Sequence, residues 1–222
     1  MSRLVVKVGG ASAAGAAQAI LDLVAAGHEV AVVHGAGPQI SAEMERRGLE
    51  VRFVGGRRVT DAAALAVVRD SLAEVNAGLC GALGSRAVSL MGDEIGLRAE
   101  RVPELGLVGE ALESRPQAVL DALAAGRIPV VAPLAAGPLN VNADDAASAL
   151  AVGIGAERIL FLTDVPGVYV GGAVIDMIGA DEATAKIEAG EFEGGIVPKL
   201  RAAVRAARLG LRAEIGETVV VQ

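Results

Sequence analysis

The chain has 222 residues, of which 53% are hydrophobic but only 2% aromatic, and carries a net charge of −7. A chain of this length buries roughly 70% of its unfolded surface, so a core of Ala, Val, Leu and Ile forms without cross-links. The acidity argues against nucleic acid or an anionic membrane as partner, and the shortage of aromatic side chains removes platforms for base stacking. One cysteine, Cys80, excludes an internal disulfide and a Cys-based zinc site.

In chain order, residues 4–8 predict a buried strand and residues 13–26 a helix that Gly27 ends. Residues 30–33 predict a second strand. A helix over residues 38–47 follows, with Pro38 in its first turn, where the missing N–H costs nothing. Between Asp61 and Leu83, Leu65, Val68, Leu72, Val75, Leu79 and Leu83 recur at spacings of three and four, so one helical face is apolar. That face either packs on a sheet or forms a dimer contact. Residues 127–132 and 158–162 predict further strands, each preceded by a helical segment, and residues 218–221 a last one. No apolar run reaches the ~18–20 residues that span a bilayer. Met1-Ser2-Arg3 leads straight into Leu4-Val5-Val6-Lys7, which is not a signal-peptide layout. A soluble cytoplasmic α/β protein with a mainly parallel sheet covered on both faces is expected.

Only three of the 20 basic residues are lysines, and Lys7 and Lys199 both lie in glycine-framed motifs. An ammonium is a compact point charge on a flexible stem, suited to a migrating phosphoryl group. Lys7-Val8-Gly9-Gly10 closes the first strand, and His34-Gly35-Ala36-Gly37-Pro38 closes the second. Glycine turns at the carboxyl ends of neighbouring strands form one crevice, and the following helix N-termini favour an anion. Neither turn has the Rossmann or Walker A spacing. Gly56-Arg57-Arg58-Val59-Thr60-Asp61 offers an arginine for a carboxylate. In Asn140-Val141-Asn142-Ala143-Asp144-Asp145, which opens a helix running to about Val152, alternation puts Asn140, Asn142 and Asp144 on one face, with Asn142 or Asp144 as a candidate N-cap. Thr163-Asp164-Val165-Pro166-Gly167-Val168 reads as a turn after the 158–162 strand. Glu193-Gly194-Gly195-Ile196-Val197-Pro198-Lys199 precedes a basic helix with Arg201, Arg205, Arg208 and Arg212, expected as a solvated face.

No Gly-x-Ser-x-Gly and no His-based metal pair is present, and the only histidines are His28 and His34. Two lysines, glycine cradles and an organising aspartate without a nucleophile fit phosphoryl transfer, where catalysis is mostly positioning and charge stabilisation.

These motifs, in this order from Lys7 to about Leu211, resemble the amino-acid kinase superfamily and within it the N-acetylglutamate kinases. The resemblance implies a three-layer αβα sandwich around a mainly parallel sheet, with residues 1–150 binding the amino-acid substrate and residues 151–222 binding ATP. It implies phosphorylation of N-acetyl-L-glutamate by ATP, with Mg²⁺ arriving on the nucleotide and no protein-held metal. Lys7 and Lys199 would stabilise the moving phosphoryl group, and Asp144 would hold both lysines. Gly10 and the backbone at Ala36 and Gly37 would donate to the phosphoryl group and the accepting carboxylate. Arg58 and Asn140 would grip the α-carboxylate, with Asn142 beside them, while Thr163, Asp164, Gly167 and Val168 would line the ATP site. A homodimer through the 61–83 helix is expected, without the N-terminal helix that makes arginine-inhibited relatives hexameric.

The chain departs from the family pattern in three places. Ala36 interrupts the usual run of three glycines, Arg57 stands where leucine is usual, and the segment between Gly210 and Val219 is shortened, which bears on ATP affinity. Competing expectations are a sister kinase acting on a carrier-protein-linked aminoadipate or glutamate, and a non-catalytic binding module that kept the fold.

Overall fold

A computed structural model describes residues 2–9, 13–162 and 165–222. β1 (Arg3–Val8), α1 (Ala13–Ala25), β2 (Glu29–His34) and α2 (Gly37–Arg46) come first. A hairpin of β3 (Phe53–Val54) and β4 (Arg57–Arg58) leads into the long α3 (Ala62–Leu83). Then come β5 (Ala87–Met91), β6 (Arg98–Arg101), β7 (Val108–Leu112), α4 (Gln117–Ala124), β8 (Ile128–Ala132), β9 (Leu134–Ala135) and β10 (Leu139–Val141). α5 (Ala143–Gly153), β11 (Arg158–Phe161), β12 (Tyr169–Val170), β13 (Ala173–Val174) and β14 (Met177–Gly179) follow. The chain closes with α6 (Ala180–Glu188), α7 (Ile196–Arg208), β15 (Arg212–Ile215) and β16 (Thr218–Val221).

The central sheet has eight strands in the order β14-β16-β15-β11-β1-β2-β8-β5. Every neighbouring pair is parallel except β15 with β16. The strands alternate between two buried faces, as a pleat with helices on both sides requires. Leu4, Val6 and Val8 of β1 pack with Val30 and Val32 of β2 and with Ile20 of α1 and Leu79 of α3. Val5 and Val33 pack on the opposite face among residues of α4, α5 and α7. The apolar stripe of α3 is spent inside this fold: Leu65, Val68, Leu72, Leu79 and Leu83 are buried, and the helix packs on α1, α2, β5 and β8.

Most expected elements are present within a residue or two. Residue 127 falls outside β8 because its N–H closes the end of α4 on Ala122 O at 2.9 Å. Arg212 does not continue the basic helix: Gly210, at φ 85°, ends the turn and Arg212 starts β15. A smaller sheet, β6-β7-β10-β9, was not foreseen, because its strands are short and partly charged. The segment between Gly210 and Val219, expected to be shortened, holds β15 and a hairpin turn at Gly216-Glu217, with Gly216 at φ 56° and Ile215 opposite Thr218.

Candidate active site

β1 is the point at which the strand order diverges, with β2 on one side and β11 on the other. A crevice forms beyond the carboxyl ends of parallel strands at such a point. Three expected motifs meet there: Lys7 near the end of β1, Gly35, Ala36 and Gly37 after β2, and the 165–168 turn after β11. Gly10, Thr163 and Asp164 lie outside the described residues.

Period-two alternation puts Lys7 on the same face as Val5, the face covered by α5. It therefore meets the first turn of that helix. Its Nζ lies 2.7 Å from Asp144 Oδ1, with both side chains nearly buried. No other group donates a hydrogen bond to this oxygen among the described residues. Asn142 caps α5, its Oδ1 accepting from the Asp144 N–H at 2.8 Å and the Asp145 N–H at 3.1 Å. The shared face of Asn140, Asn142 and Asp144 thus has a different cause from strand alternation: β10 ends at Val141, and Asp144 comes round on the helix.

These groups line a cavity of about 210 Å³ with Gly35, Ala36, Gly37, Arg57, Arg58 and Asn140. Among the described residues its charged lining is Lys7, Arg57 and Arg58 against the carboxylate of Asp144. The N-termini of α2 and α5 both open into it, which favours an anion. Ala36 fits where glycine was expected because its φ is −144°.

Arg58 is buried and its ordinary pKa is lowered by desolvation. Its Nη2 donates to Ser41 Oγ at 2.8 Å and Gly37 O at 3.1 Å, and its guanidinium lies 4.6 Å from the centre of the Phe53 ring. Thr60 joins the two expected carboxylate-binding residues: its hydroxyl donates to Arg58 O at 2.8 Å and accepts from Asn140 Nδ2 at 3.0 Å. Asp61 caps α3 through the Ala64 N–H.

Behind the 35–37 turn, His34 is fully buried. Asn76 of α3 donates to His34 Nε2 at 3.0 Å and to Val130 O at 2.9 Å. The ring's proton is thereby assigned to Nδ1, which faces Gly35 O at 3.4 Å. Burial lowers the His34 pKa to about 4, opposed by the bond to Gly35. This ring is a neutral support for the turn.

A second cavity, about 480 Å³, lies on the side of the 165–168 turn. Gly167 and Lys199 line it together with Val165, Tyr169, Phe192 and Ile196. Lys199 Nζ donates to Gly195 O at 3.3 Å and makes no ion pair with Asp144. Asp144 therefore pairs with one of the two lysines. Val168 is buried and supports the turn from behind, its N–H donating to Thr218 Oγ1 at 2.8 Å. A Cβ on Gly167 would meet Thr218 Oγ1 and Val174 Cγ1 at 2.7 Å, so only glycine fits that packing undisturbed.

Residues 2–217 match the amino acid kinase family. The chain belongs to the amino acid kinase family. It is 42% identical to an acetylglutamate kinase of Rubrobacter xylanophilus, over 97% of this chain and 88% of that one. It is 40% identical to an acetylglutamate kinase of Saccharopolyspora erythraea, over 88% and 71% of the two chains. A solved Streptococcus mutans protein superposes with TM-score 0.88 at 26% identity, covering 99% of this chain and 98% of the other. A Giardia lamblia carbamate kinase bound to AMP-PNP shares the fold, with TM-score 0.75 at 16% identity, covering 100% and 98%.

In this amino acid kinase, sequence reasoning missed Thr60, Tyr169 and Phe192 as parts of the site. One signal was available. The chain has one Tyr and three Phe, and Phe53, Tyr169 and Phe192 all line the two cavities. Phe161 lies wholly in the core, and Phe192 is shared between the core and the larger cavity.

Proposed function

We propose that this protein is an ATP-dependent acetylglutamate kinase, transferring the γ-phosphoryl group of ATP to the side-chain carboxylate of N-acetyl-L-glutamate in arginine biosynthesis. One observation carries the reading: among the described residues the smaller cavity is lined by three cations, Lys7, Arg57 and Arg58, and by one carboxylate, Asp144, which is paired with Lys7. A carboxylate acceptor is ionised at neutral pH and needs no base to attack phosphorus, whereas an alcohol does. His34 does not line this cavity. The similarity to proteins named acetylglutamate kinase, at 42% and 40% identity, supports the same acceptor.

In this reading Arg58 and Asn140 hold the α-carboxylate, and Asn142 shapes the same wall. The backbone at Ala36 and Gly37, with Gly10, donates to the accepting carboxylate and the transferred group. Lys7, fixed by Asp144, stabilises charge on the equatorial oxygens as the carboxylate–phosphorus bond forms and the bond to the β-phosphate oxygen breaks. Lys199 exchanges its bond to Gly195 O for the phosphate chain. Thr163, Asp164, Gly167 and Val168 are assigned to the nucleotide, as the family resemblance implies. Mg²⁺ arriving on the nucleotide would neutralise phosphate charge, held by phosphate oxygens and water. We read the enzyme as a cytoplasmic homodimer through the outer face of α3, where Ala66, Ala73 and Ala77 are exposed.

The test is ADP release from MgATP with and without N-acetyl-L-glutamate, with the acyl phosphate trapped by hydroxylamine. Lys199→Met is expected to lower kcat on the order of 10²–10³-fold with little change in Tm. Lys7→Met is expected to lower both, because an unpaired buried Asp144 costs roughly 3–5 kcal/mol. ADP release that does not depend on acetylglutamate would sink the reading.

A further inference from the structure

The first turn of α5 carries two adjacent carboxylates that point to different partners. Asp144 faces Lys7 in the smaller cavity. Asp145 has one oxygen ion-paired with Arg205 of α7 and the other 3.8 Å from Arg57 Nη2 of β4. Arg57 is also 3.2 Å from Glu110 of β7. Arg58, the neighbour of Arg57, lines the smaller cavity, and Lys199, on the first turn of α7, lines the larger one. Arg205 lies about 9 Å along the helix axis from Lys199, at 1.5 Å per residue. The Asp145 side chain is only 16% exposed.

We propose that Asp145 is a positioning residue that couples the two cavities, tying the Arg57-Arg58 hairpin and the Lys199-bearing helix to the turn that holds Asp144. This rests on the kinase reading, in which both cavities serve one transfer. Position 57, where the family resemblance implies leucine, then has a defined task in this chain.

The strap is distinct from a stabilising ion pair. Burial pushes the Asp145 carboxyl above its ordinary range despite the opposing pull of Arg205 and Arg57. The arginines therefore do not offset the cost of burying the charge, as is common for ion pairs out of water. The proposal accordingly predicts a change in kinetics without a loss of stability.

The experiment measures KM and kcat for both substrates, and Tm, in Asp145→Asn, Arg57→Leu, Arg205→Gln and the Asp145→Asn/Arg205→Gln double variant. Asp145→Asn is expected to raise both KM values on the order of tenfold, within the range of coupled neighbours, with Tm unchanged or higher. Arg57→Leu should weaken mainly acetylglutamate, and Arg205→Gln mainly ATP. The double variant should be no worse than the poorer single one. KM values within about twofold of wild type, or a fall in Tm with KM unchanged, would overturn the strap. If Asp145→Asn does not fold, Arg205→Gln carries the test, because Arg205 is 51% exposed.

A wild-type protein that releases no acetylglutamate-dependent ADP would overturn the kinase reading alone. Hydrogen exchange then tests the strap. Faster exchange in Asp145→Asn at both residues 53–58 and residues 196–208 supports it, and unchanged exchange refutes it.

Discussion

The His34 ring is fully buried, and its pKa is lowered from 6.5 to about 4, chiefly by desolvation. A base whose folded pKa is depressed contributes stability that is present above its unfolded pKa and is lost as pH falls towards the folded one. The window here is pH 6.5 down to about 4, and a shift of this size corresponds to roughly 3 kcal/mol across it. His34→Gln should therefore show a shallower loss of unfolding free energy over that window than wild type, measured by urea denaturation at stepped pH. Equal slopes would mean that the folded protein does not hold the ring neutral. Cys80 belongs to the same buried chain of contacts, its thiol donating to Asn76 Oδ1 at 3.5 Å. The side chain is half-buried rather than fully enclosed.

Among the elements, α5 has the most to do with the site. Its cap residue, Asn142, fixes the turn that presents Asp144 inward and Asp145 outward. Asn142→Ala removes the acceptor for two backbone N–H groups, at a cost of about 1 kcal/mol. For a chain of this length that lowers Tm by about 2–4 °C. The fall in kcat should exceed what the Tm change explains, because Asp144 loses its fixed geometry. Asn142→Ser keeps a capping oxygen and should recover most of the Tm. Unaltered Tm and kcat in Asn142→Ala would show that the turn stands without its cap. The basic helix changes meaning at this scale: Arg205 and Arg208 are ion-paired with Asp145 and Asp181 rather than simply solvated.

For the whole molecule, the central sheet is continuous across the two proposed lobes. β1, β2, β5 and β8 come from the first 150 residues, and β11, β14, β15 and β16 from the remainder. The smaller cavity is lined from the ends of β1 and β2 and the start of α5, and the larger from the turn after β11 and the start of α7. The proposed dimer uses what α3 has left after packing, a face of small side chains. Sedimentation equilibrium should give a dimer for wild type and a monomer for Ala77→Glu, with Tm little changed because residue 77 is exposed. A dimer that survives this substitution would place the contact elsewhere.

The sequence by itself determined the elements that repeat a strong local pattern. β-branched runs became central strands, the three-and-four spacing became α3, and glycines after strands became the turns at the crevice. Lys7, Asp144, Arg58 and Asn140 were legible as candidates because they stand in short glycine-, arginine- and asparagine-bearing motifs beside predicted strands and helices. What only the tertiary structure decided were relations between distant segments. Asp144 pairs with Lys7 and not with Lys199, because α5 packs on β1 while α7 carries Lys199 to another cavity. Thr60 joins Arg58 to Asn140 across 80 residues of sequence. Asp145 draws Arg57 and Arg205 together from either side of it. Local pattern fixes the direction in which a side chain points, whereas its partner depends on how the elements pack.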